Sequence, residues 1–110
     1  MLYKNLRLEK ERINLVKKEG RIYYSKNFGF IIREREKDKH SKFCIIVSRK
    51  VSLKAVARNK LKRIISEVVN QFSAKLKGGC DIIIFAKKGS DVNIDEARKE
   101  IGSFFIEFLC

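Results

Sequence analysis

The sequence predicts an α/β (α+β) two-layer sandwich, in which helices pack on a small sheet. Three apolar runs, at residues 27–33, 42–48 and 80–86, are typical of strands. Residues 53–76 and residues 93–108 repeat apolar side chains at the spacing of a helix. At 110 residues the chain has the common size of one domain, so we expect a single core.

The first predicted element is a helix in residues 8–20. Good helix formers precede Gly20, a residue type that commonly ends helices. Ile13 and Val16 give this helix only a narrow apolar stripe. The sequence does not decide whether a short additional strand forms at residues 22–25, so the predicted order begins with a helix and two or three strands.

The strands at residues 27–33 and 42–48 are predicted to form a hairpin, because the charged residues 34–41 between them are typical of a loop. Phe28 and Phe30 alternate with small or aliphatic residues along the first of these strands. Their rings fit two roles, packing in the core or stacking on unpaired bases, and the sequence leaves both open.

The second helix, which follows Ser52, is predicted to have an apolar face and a basic face. Its apolar residues gather in one arc when successive residues are placed about 100° apart. We expect the polar residues of its first turns to project from the other side. The apolar residues are Leu61, Ile64, Ile65, Val68, Phe72 and Leu76, and the polar residues are Arg58, Asn59, Lys62 and Arg63.

A third strand and a third helix complete the predicted order. The strand spans residues 80–86, and the helix begins near Asn93, which can cap it while Glu96 reaches back. The predicted order is therefore helix, two or three strands, helix, strand, helix.

The charge of the chain predicts a polyanionic partner. The formal net charge is +13, and residues 39–66 contain no Asp or Glu. Seven Lys or Arg residues fall within residues 49–63. Such a concentrated excess attracts nucleic acid, and guanidinium groups form paired hydrogen bonds with phosphate oxygens. Asn59, the uncharged member, can fix the loop before the helix or contact a sugar hydroxyl.

The sequence offers no catalytic or metal-binding constellation. No carboxylate lies near the basic segment, and His40 has no partner nearby in sequence. Gly78 and Gly79 lack the spacing of a phosphate-binding loop. We therefore expect no catalytic residue and no metal ligand in this chain.

The three cysteines predict a reducing compartment. Cys44, Cys80 and Cys110 are odd in number and far apart, and they form no C-x-x-C motif, which is typical of free thiols. No apolar stretch is long enough for a membrane span, and the first residues lack the apolar region of a signal peptide. We expect a cytoplasmic protein with no membrane partner.

The segment SRKVSLKAVARNKLKRIISEVV, residues 48–69, resembles the arginine-rich signature of the bacterial ribonuclease P protein component. Arg7 with Leu8, Phe28 and the strand-like residues 80–86 extend the resemblance over nearly the whole chain. It implies an α/β sandwich with a left-handed β-α-β crossover. It also implies a protein subunit that binds a catalytic RNA and assists its cleavage of the 5′ leader from precursor tRNA, with magnesium held mainly by the RNA.

The resemblance also implies site residues for a single RNA-binding domain over residues 1–110. Lys60 stands where an arginine is usual, Ser66 where another arginine is common, and Ile13 where a phenylalanine is usual. With flanking basic residues included, the expected catalytic-RNA contacts are Arg49, Lys50, Lys54, Arg58, Asn59, Lys60, Lys62 and Arg63. The expected leader cleft consists of Ile13, Lys17, Phe28 and Phe30.

Two other classes compete with this interpretation. A ribosomal or general structured-RNA-binding protein without a role in cleavage would carry the same charge. A helix-turn-helix DNA regulator is disfavoured, because predicted strands flank the basic helix and leave no second helix for that motif. We therefore expect RNA partners and no DNA partner.

Overall fold

The computed structural model describes residues 2–35, 40–76, 79–89 and 91–108. It confirms the predicted α/β sandwich and the order of its elements. Short 3-10 turns at Lys4–Leu6 and Ser73–Lys75 accompany the main elements. These are α1 (Lys10–Glu19), β1 (Arg21–Tyr24), β2 (Phe28–Glu34), β3 (Lys42–Ile46), α2 (Ala55–Phe72), β4 (Cys80–Ala86) and α3 (Ile94–Phe108).

The four strands form one sheet in the order β1-β2-β4-β3. β2 runs antiparallel to both β1 and β4, whereas β3 and β4 are parallel and are connected through α2. A parallel pair needs such a crossover, because two parallel strands cannot be joined by a tight turn.

The predicted hairpin between β2 and β3 is wrong. β2 forms its hairpin with β1, the strand that the sequence left open, and β4 lies between β2 and β3. The physical reason is the apolar character of β4, in which Ile82, Ile83 and Ile84 are at most 1% exposed. A strand buried on both faces is most stable in the middle of a sheet, and hydrophobic periodicity does not specify which strands pair.

Gly20 ends α1 as predicted, with its amide donating to the Val16 carbonyl oxygen at 2.8 Å. Its φ of −74° is ordinary, so the position does not need the left-handed freedom of glycine. A Cβ atom here would instead collide with the Val16 carbonyl and the Ile31 side chain. Glycine is therefore used for the close packing of α1 against β2.

The sheet separates two apolar clusters. α2 and α3 cover one face, where the main core includes Phe43, Ile65 and Phe105, all at most 1% exposed. α1 packs on part of the other face, where Val16 and Ile83 are buried together. Part of that second face is left without a covering helix.

A buried carboxylate ties the loop after β2 to the central strand. Asp81 at the start of β4 is fully buried, and its Oδ1 accepts a 2.6 Å hydrogen bond from Arg35 Nε. Arg12 Nη1 of α1 lies 3.9 Å from Oδ2. Arg35 also donates to the His40 carbonyl oxygen at 2.6 Å, so the side chain that pairs with Asp81 also contacts His40.

The described cysteines are free thiols, as predicted. Burial raises the pKa of Cys44, although Lys17 and Lys62 partly oppose the change. Burial and the neighbouring Glu34 raise the pKa of Cys80. Both thiols are therefore less ionised than an exposed cysteine. Cys110 lies outside the described residues.

Within the described ranges, every helix is too short or too polar to span a bilayer.

A second carboxylate, Glu100 of α3, holds the β1–β2 turn. It accepts hydrogen bonds from Ser25 Oγ at 2.7 Å, from Asn27 N at 2.8 Å and from Asn27 Nδ2 at 2.7 Å. Burial raises the pKa of Glu100, but the hydrogen bonds from Asn27 and Ser25 outweigh it and bring the pKa below its ordinary value. The ionised carboxylate therefore stabilises the folded state.

We predict that Glu100→Gln lowers the free energy of unfolding by about 1 to 2 kcal/mol at pH 7, since the side chain is partly exposed. Because the folded pKa is depressed, this stabilisation is complete above the ordinary pKa and is lost as the pH falls through the folded value. Urea denaturation of both proteins from pH 7 downwards should show the difference shrinking below the ordinary pKa of 4.5. Glu107→Gln, an exposed carboxylate on the same helix, is the control. A difference that stays constant with pH would contradict the ionised clamp.

Candidate nucleic-acid interface

The basic signature lies on the exposed side of α2. Leu61, Ile65 and Val68 are buried against the rest of the core, as the helical spacing predicts, and Val69 is buried beside them. The exposed side of the first three turns carries cations and an amide, and no acidic residue occurs in the first turn. Its exposed polar residues are Asn59, Lys60, Lys62 and Arg63.

A groove of about 650 Å³ runs between this side of α2, the edge strand β3 and the N-terminal segment. That segment is held against β3, because Leu8 N donates to the Phe43 carbonyl oxygen at 2.8 Å. Among the described residues, its lining has three cationic side chains and no carboxylate, above an apolar floor. The lining residues are Leu2, Arg7, Leu8, Phe43, Cys44, Ile45, Asn59, Lys62, Arg63 and Ser66.

Three of the predicted RNA-binding residues, Asn59, Lys62 and Arg63, therefore share one groove. Ser66, which replaces a common arginine of the signature, is buried, and its Oγ donates to the Lys62 carbonyl oxygen at 2.7 Å. Arg7 joins them from the N-terminal segment and supplies a guanidinium group on the opposite wall. Sequence reasoning missed this role of Arg7, because only the pairing of residues 7 and 43 brings it to α2.

Arg58 does not project opposite the apolar face, and that prediction is wrong. Its side chain is half-buried, and Nη1 donates to the Ser52 carbonyl oxygen at 2.8 Å. The reason is helix geometry: residues three apart are only about 60° from each other around the axis, so Arg58 lies near Leu61. Arg58 fixes the loop before α2, one of the two roles that the sequence suggested for Asn59.

The other predicted contacts are spread around the start of α2. Arg49 and Lys50 are exposed in a turn closed by a 3.0 Å hydrogen bond from Val51 N to Ser48 O. Lys54 is exposed at the N-cap of α2. Lys60 lines a separate hollow of about 380 Å³ beside the β4–α3 loop. Their contact with RNA stays a prediction.

The four residues of the expected leader cleft do not lie together. Phe28 and Phe30 are 0% and 1% exposed on the face covered by α2 and α3, where the Phe30 ring stacks on Phe104 at 4.1 Å. Ile13 and Lys17 lie on α1, on the opposite side of the sheet. The two phenylalanines therefore pack in the core, because alternation defines a face but not which face is covered. Phe30 also contributes to the floor of a hollow of about 340 Å³ beside α3, on the face away from Ile13 and Lys17.

An accessible cleft does exist on the α1 side, with Lys17 at its rim. It has a volume of about 240 Å³ and lies where α1 leaves the sheet uncovered. Its aromatic side chain is Phe85 of β4, which sequence reasoning missed among the buried-strand residues. The lining residues are Lys17, Ile31, Ile46, Ser48, Ile83, Phe85 and Ala86.

The carboxylates of the described residues do not fit a magnesium site. No group of three or more His, Cys, Asp or Glu side chains in this part of the chain could hold a metal ion. The buried carboxylate of Asp81 faces the guanidinium groups of Arg12 and Arg35, which repel a cation. We derive no metal-dependent step from this chain.

An α/β sandwich whose groove beside α2 has cations and no carboxylate among its described lining residues, with an apolar cleft on the face that α1 partly covers, defines a nucleic-acid-binding protein. The particular family follows from comparison with known proteins. The chain belongs to the Ribonuclease P family, whose model matches residues 2–108.

Relatives and solved structures agree with this membership. The ribonuclease P protein component of Synechocystis sp. is 36% identical over 107 residues, which cover 94% of this chain and 86% of the relative. The ribonuclease P protein component of Fusobacterium nucleatum is 35% identical over 78% of this chain and 84% of the relative. The ribonuclease P protein of Thermotoga maritima superposes with a TM-score of 0.80 at 28% identity. The match covers 93% of this chain and 96% of the Thermotoga maritima chain. A Staphylococcus aureus ribonuclease P protein mutant, at 24% identity and a TM-score of 0.85, shares the fold.

The resemblance noted from the signature is therefore confirmed. As a member of this family, the chain is an RNA-binding accessory subunit of ribonuclease P, the endoribonuclease that processes the 5′ end of tRNA. The competing interpretation as a ribosomal protein has no support among these relatives.

We predict that Arg58→Ala and Arg63→Ala differ in their effect on stability. Removing Arg58 deletes the hydrogen bond to Ser52 O and should lower the free energy of unfolding by about 0.5 to 1.5 kcal/mol. Removing the exposed Arg63 should change it by less than about 0.5 kcal/mol. Urea denaturation without RNA measures both. Equal stabilities of the two variants would show that Arg58 does not anchor the loop.

Proposed function

We propose that the α2 groove binds the catalytic RNA of ribonuclease P while the cleft on the α1 side binds the 5′ leader of precursor tRNA. The observation that carries the proposal is the groove in which Arg7, Lys62 and Arg63 converge without a carboxylate. One site lies at the β3 edge beside α2 and the other on the face that α1 partly covers, so the protein can touch two RNA segments at once.

The chemistry of the α2 groove suits a phosphate backbone. Guanidinium and ammonium groups form charge-assisted hydrogen bonds with phosphate oxygens, and Asn59 can add a contact to a sugar hydroxyl. The apolar floor contributes low dielectric surroundings, in which these charges attract more strongly than in water. The net charge of +13 favours encounter with any RNA, whereas the groove determines where on the protein the RNA binds.

The chemistry of the α1-side cleft suits a single strand. Lys17 supplies a cation at the rim, and the apolar lining with Phe85 suits the faces of unpaired bases. This assignment replaces the expected cleft of Phe28 and Phe30, whose rings are buried.

In this proposal the RNA subunit holds the magnesium ions that cleave the precursor, and the protein positions the RNA and neutralises its charge.

The free thiols of Cys44 and Cys80 suit a reducing compartment, so we place the complex in the cytoplasm. We propose RNA as the nucleic-acid partner, with no DNA and no membrane surface.

Reconstitution with a bacterial ribonuclease P RNA tests the proposal. At low magnesium the chain should accelerate cleavage of precursor tRNA by the RNA, and the chain without RNA should not cleave. If it binds this RNA tightly but leaves the cleavage rate unchanged, the general structured-RNA-binding alternative is correct.

We predict that Lys62→Ala combined with Arg63→Ala weakens binding to the catalytic RNA by about 2 to 5 kcal/mol, because two charge-assisted contacts are lost. The unfolding free energy should stay nearly constant, since both side chains are exposed. Filter binding at fixed salt measures the affinity, and Lys99→Ala on α3 is a control with the same charge change per residue. Wild-type affinity of the folded double variant would exclude the α2 groove as the interface.

We also predict that this RNA affinity falls steeply with salt, because each neutralised phosphate releases counterions. Arg63→Ala should reduce the slope of log K against log salt by about one. The Lys99→Ala control should retain the wild-type slope. A slope near zero for the wild-type protein would contradict an electrostatic interface.

A further inference from the structure

Another groove runs along β1 on the face of the sheet that α3 covers, and we call it the β1 groove. It joins two hollows of about 290 and 340 Å³, which share Tyr23 of β1 and Phe108 of α3 in their lining. The rings of these two residues are 4.5 Å apart between centroids, and the Phe108 ring lies 4.9 Å from that of Phe104. The β1 groove shares no described lining residue with the α2 groove or with the cleft on the α1 side.

The charge of the β1 groove is opposite to that of the whole chain. Its described lining residues carry four carboxylates and two guanidinium groups, whereas the chain has a net charge of +13. The carboxylates are Glu19, Glu34, Glu100 and Glu107, and the cations are Arg21 and Arg33. Arg33 already pairs with Glu19 at 2.8 Å, and within the described ranges Glu107 has no ion-pair partner. The groove therefore attracts cations and repels phosphates.

The positive charge of α2 is largely screened at this groove. β1 and β3 are the two edges of the sheet and lie three strand spacings apart, or about 14 Å. At physiological salt, charges are largely screened beyond about 8 Å. A small ligand in the β1 groove therefore responds mainly to the carboxylates that line it.

β1 is also an open edge of the sheet. Among the described strands it pairs with β2 alone, over Arg21–Tyr24. In an antiparallel pair, alternate residues direct their N–H and C=O groups away from the partner, so the outer edge of β1 can accept another strand. Ile22 is 52% exposed and Tyr24 is 65% exposed. Exposed apolar side chains therefore lie along the same edge as the acidic groove.

We propose that the β1 edge docks an extended basic segment of a protein partner, which adds a strand to the sheet and places an arginine or lysine side chain in the β1 groove. Alternate side chains of such a strand point to opposite faces, so basic ones meet the groove while apolar ones meet Ile22. A guanidinium group in the groove gains from the ring faces of Tyr23 and Phe108 and from the Glu107 carboxylate.

Two other occupants fit this edge less well. The carboxylates of the β1 groove repel an RNA backbone. A second copy of the chain would form a two-fold contact, which brings identical surfaces together, and each copy carries a net charge of +13. The inference therefore adds a protein partner at the sheet edge opposite the α2 groove, and it does not depend on the proposed RNA contacts.

The test uses the full chain without RNA and a short, capped, fluorescent peptide in which valine and arginine alternate. Fluorescence anisotropy should show saturable binding with a Kd below about 1 mM. The bound peptide should slow hydrogen exchange at alternate amides of Arg21–Tyr24, because those amides gain partners. The same peptide with alternate backbone amides methylated cannot add a strand, so it should bind about tenfold more weakly or less.

Two variants locate the peptide in the β1 groove. Glu107→Gln should weaken binding about two- to fivefold, the effect of losing one exposed ion pair. Phe108→Leu keeps an apolar side chain but removes the ring, and it should cause a similar loss. Glu11→Gln on α1, an exposed carboxylate outside the groove, is the matched control and should bind like the wild type.

Several results would overturn the proposal. They are a failure of the alternating peptide to bind saturably, equal affinity of the methylated peptide, and wild-type affinity of both Glu107→Gln and Phe108→Leu. Exchange at the β1 amides that slows as the concentration of the chain rises, without peptide, would show that a second copy occupies the edge. The variant with Lys62→Ala and Arg63→Ala should keep its affinity for the peptide, so loss of RNA binding and loss of peptide binding are separate outcomes.

Discussion

The burial of β4 on both faces and both edges is the constraint on which the structure depends. Its isoleucines 82, 83 and 84 are at most 1% exposed, so the strand needs a neighbour on each side and a helix layer on each face. β2 and β3 take the edges, α2 and α3 cover one face, and α1 covers part of the other. The basic helix and the open cleft are placed on opposite sides as a consequence, because α2 must cross from β3 to β4 over one face. Asp81, at the start of the same strand, adds an ion pair with Arg35, the residue that follows β2.

Local patterns in the sequence were sufficient for the elements and insufficient for their pairing. The helical spacing of Leu61, Ile65 and Val68 and the capping pair of Asn93 and Glu96 depend on near neighbours, and the structure has both. The partner of β2 depends on which strand is central, which is a property of the whole chain. The burial of Phe28 follows from the placement of α2 and α3, so alternation alone could not distinguish a core ring from a stacking ring.

The same division applies to the candidate site. Asn59, Lys62 and Arg63 were predictable because the residues that give α2 its basic side are consecutive in sequence. Arg7 and Phe85 were not, since they reach their sites through the pairing of distant strands. Arg58 shows a third case: helix geometry alone, applied with the correct angle, would have placed it near Leu61.

The first turns of the two long helices carry opposite charges, and this difference shows which interactions stabilise the basic end of α2. α3 has Asp95 and Glu96 in its first turn and a capping hydrogen bond of 2.9 Å from Glu96 N to Asn93 Oδ1. α2 has Lys54 at its N-cap, no side-chain cap and no acidic residue in its first turn, although cations there are unfavourable to the helix dipole. Its first turns therefore depend on apolar packing further along the helix and on the hydrogen bond from Arg58 to Ser52 O. In the proposed interface, phosphates bound beside this end would supply the missing negative charge, so RNA binding would also stabilise α2.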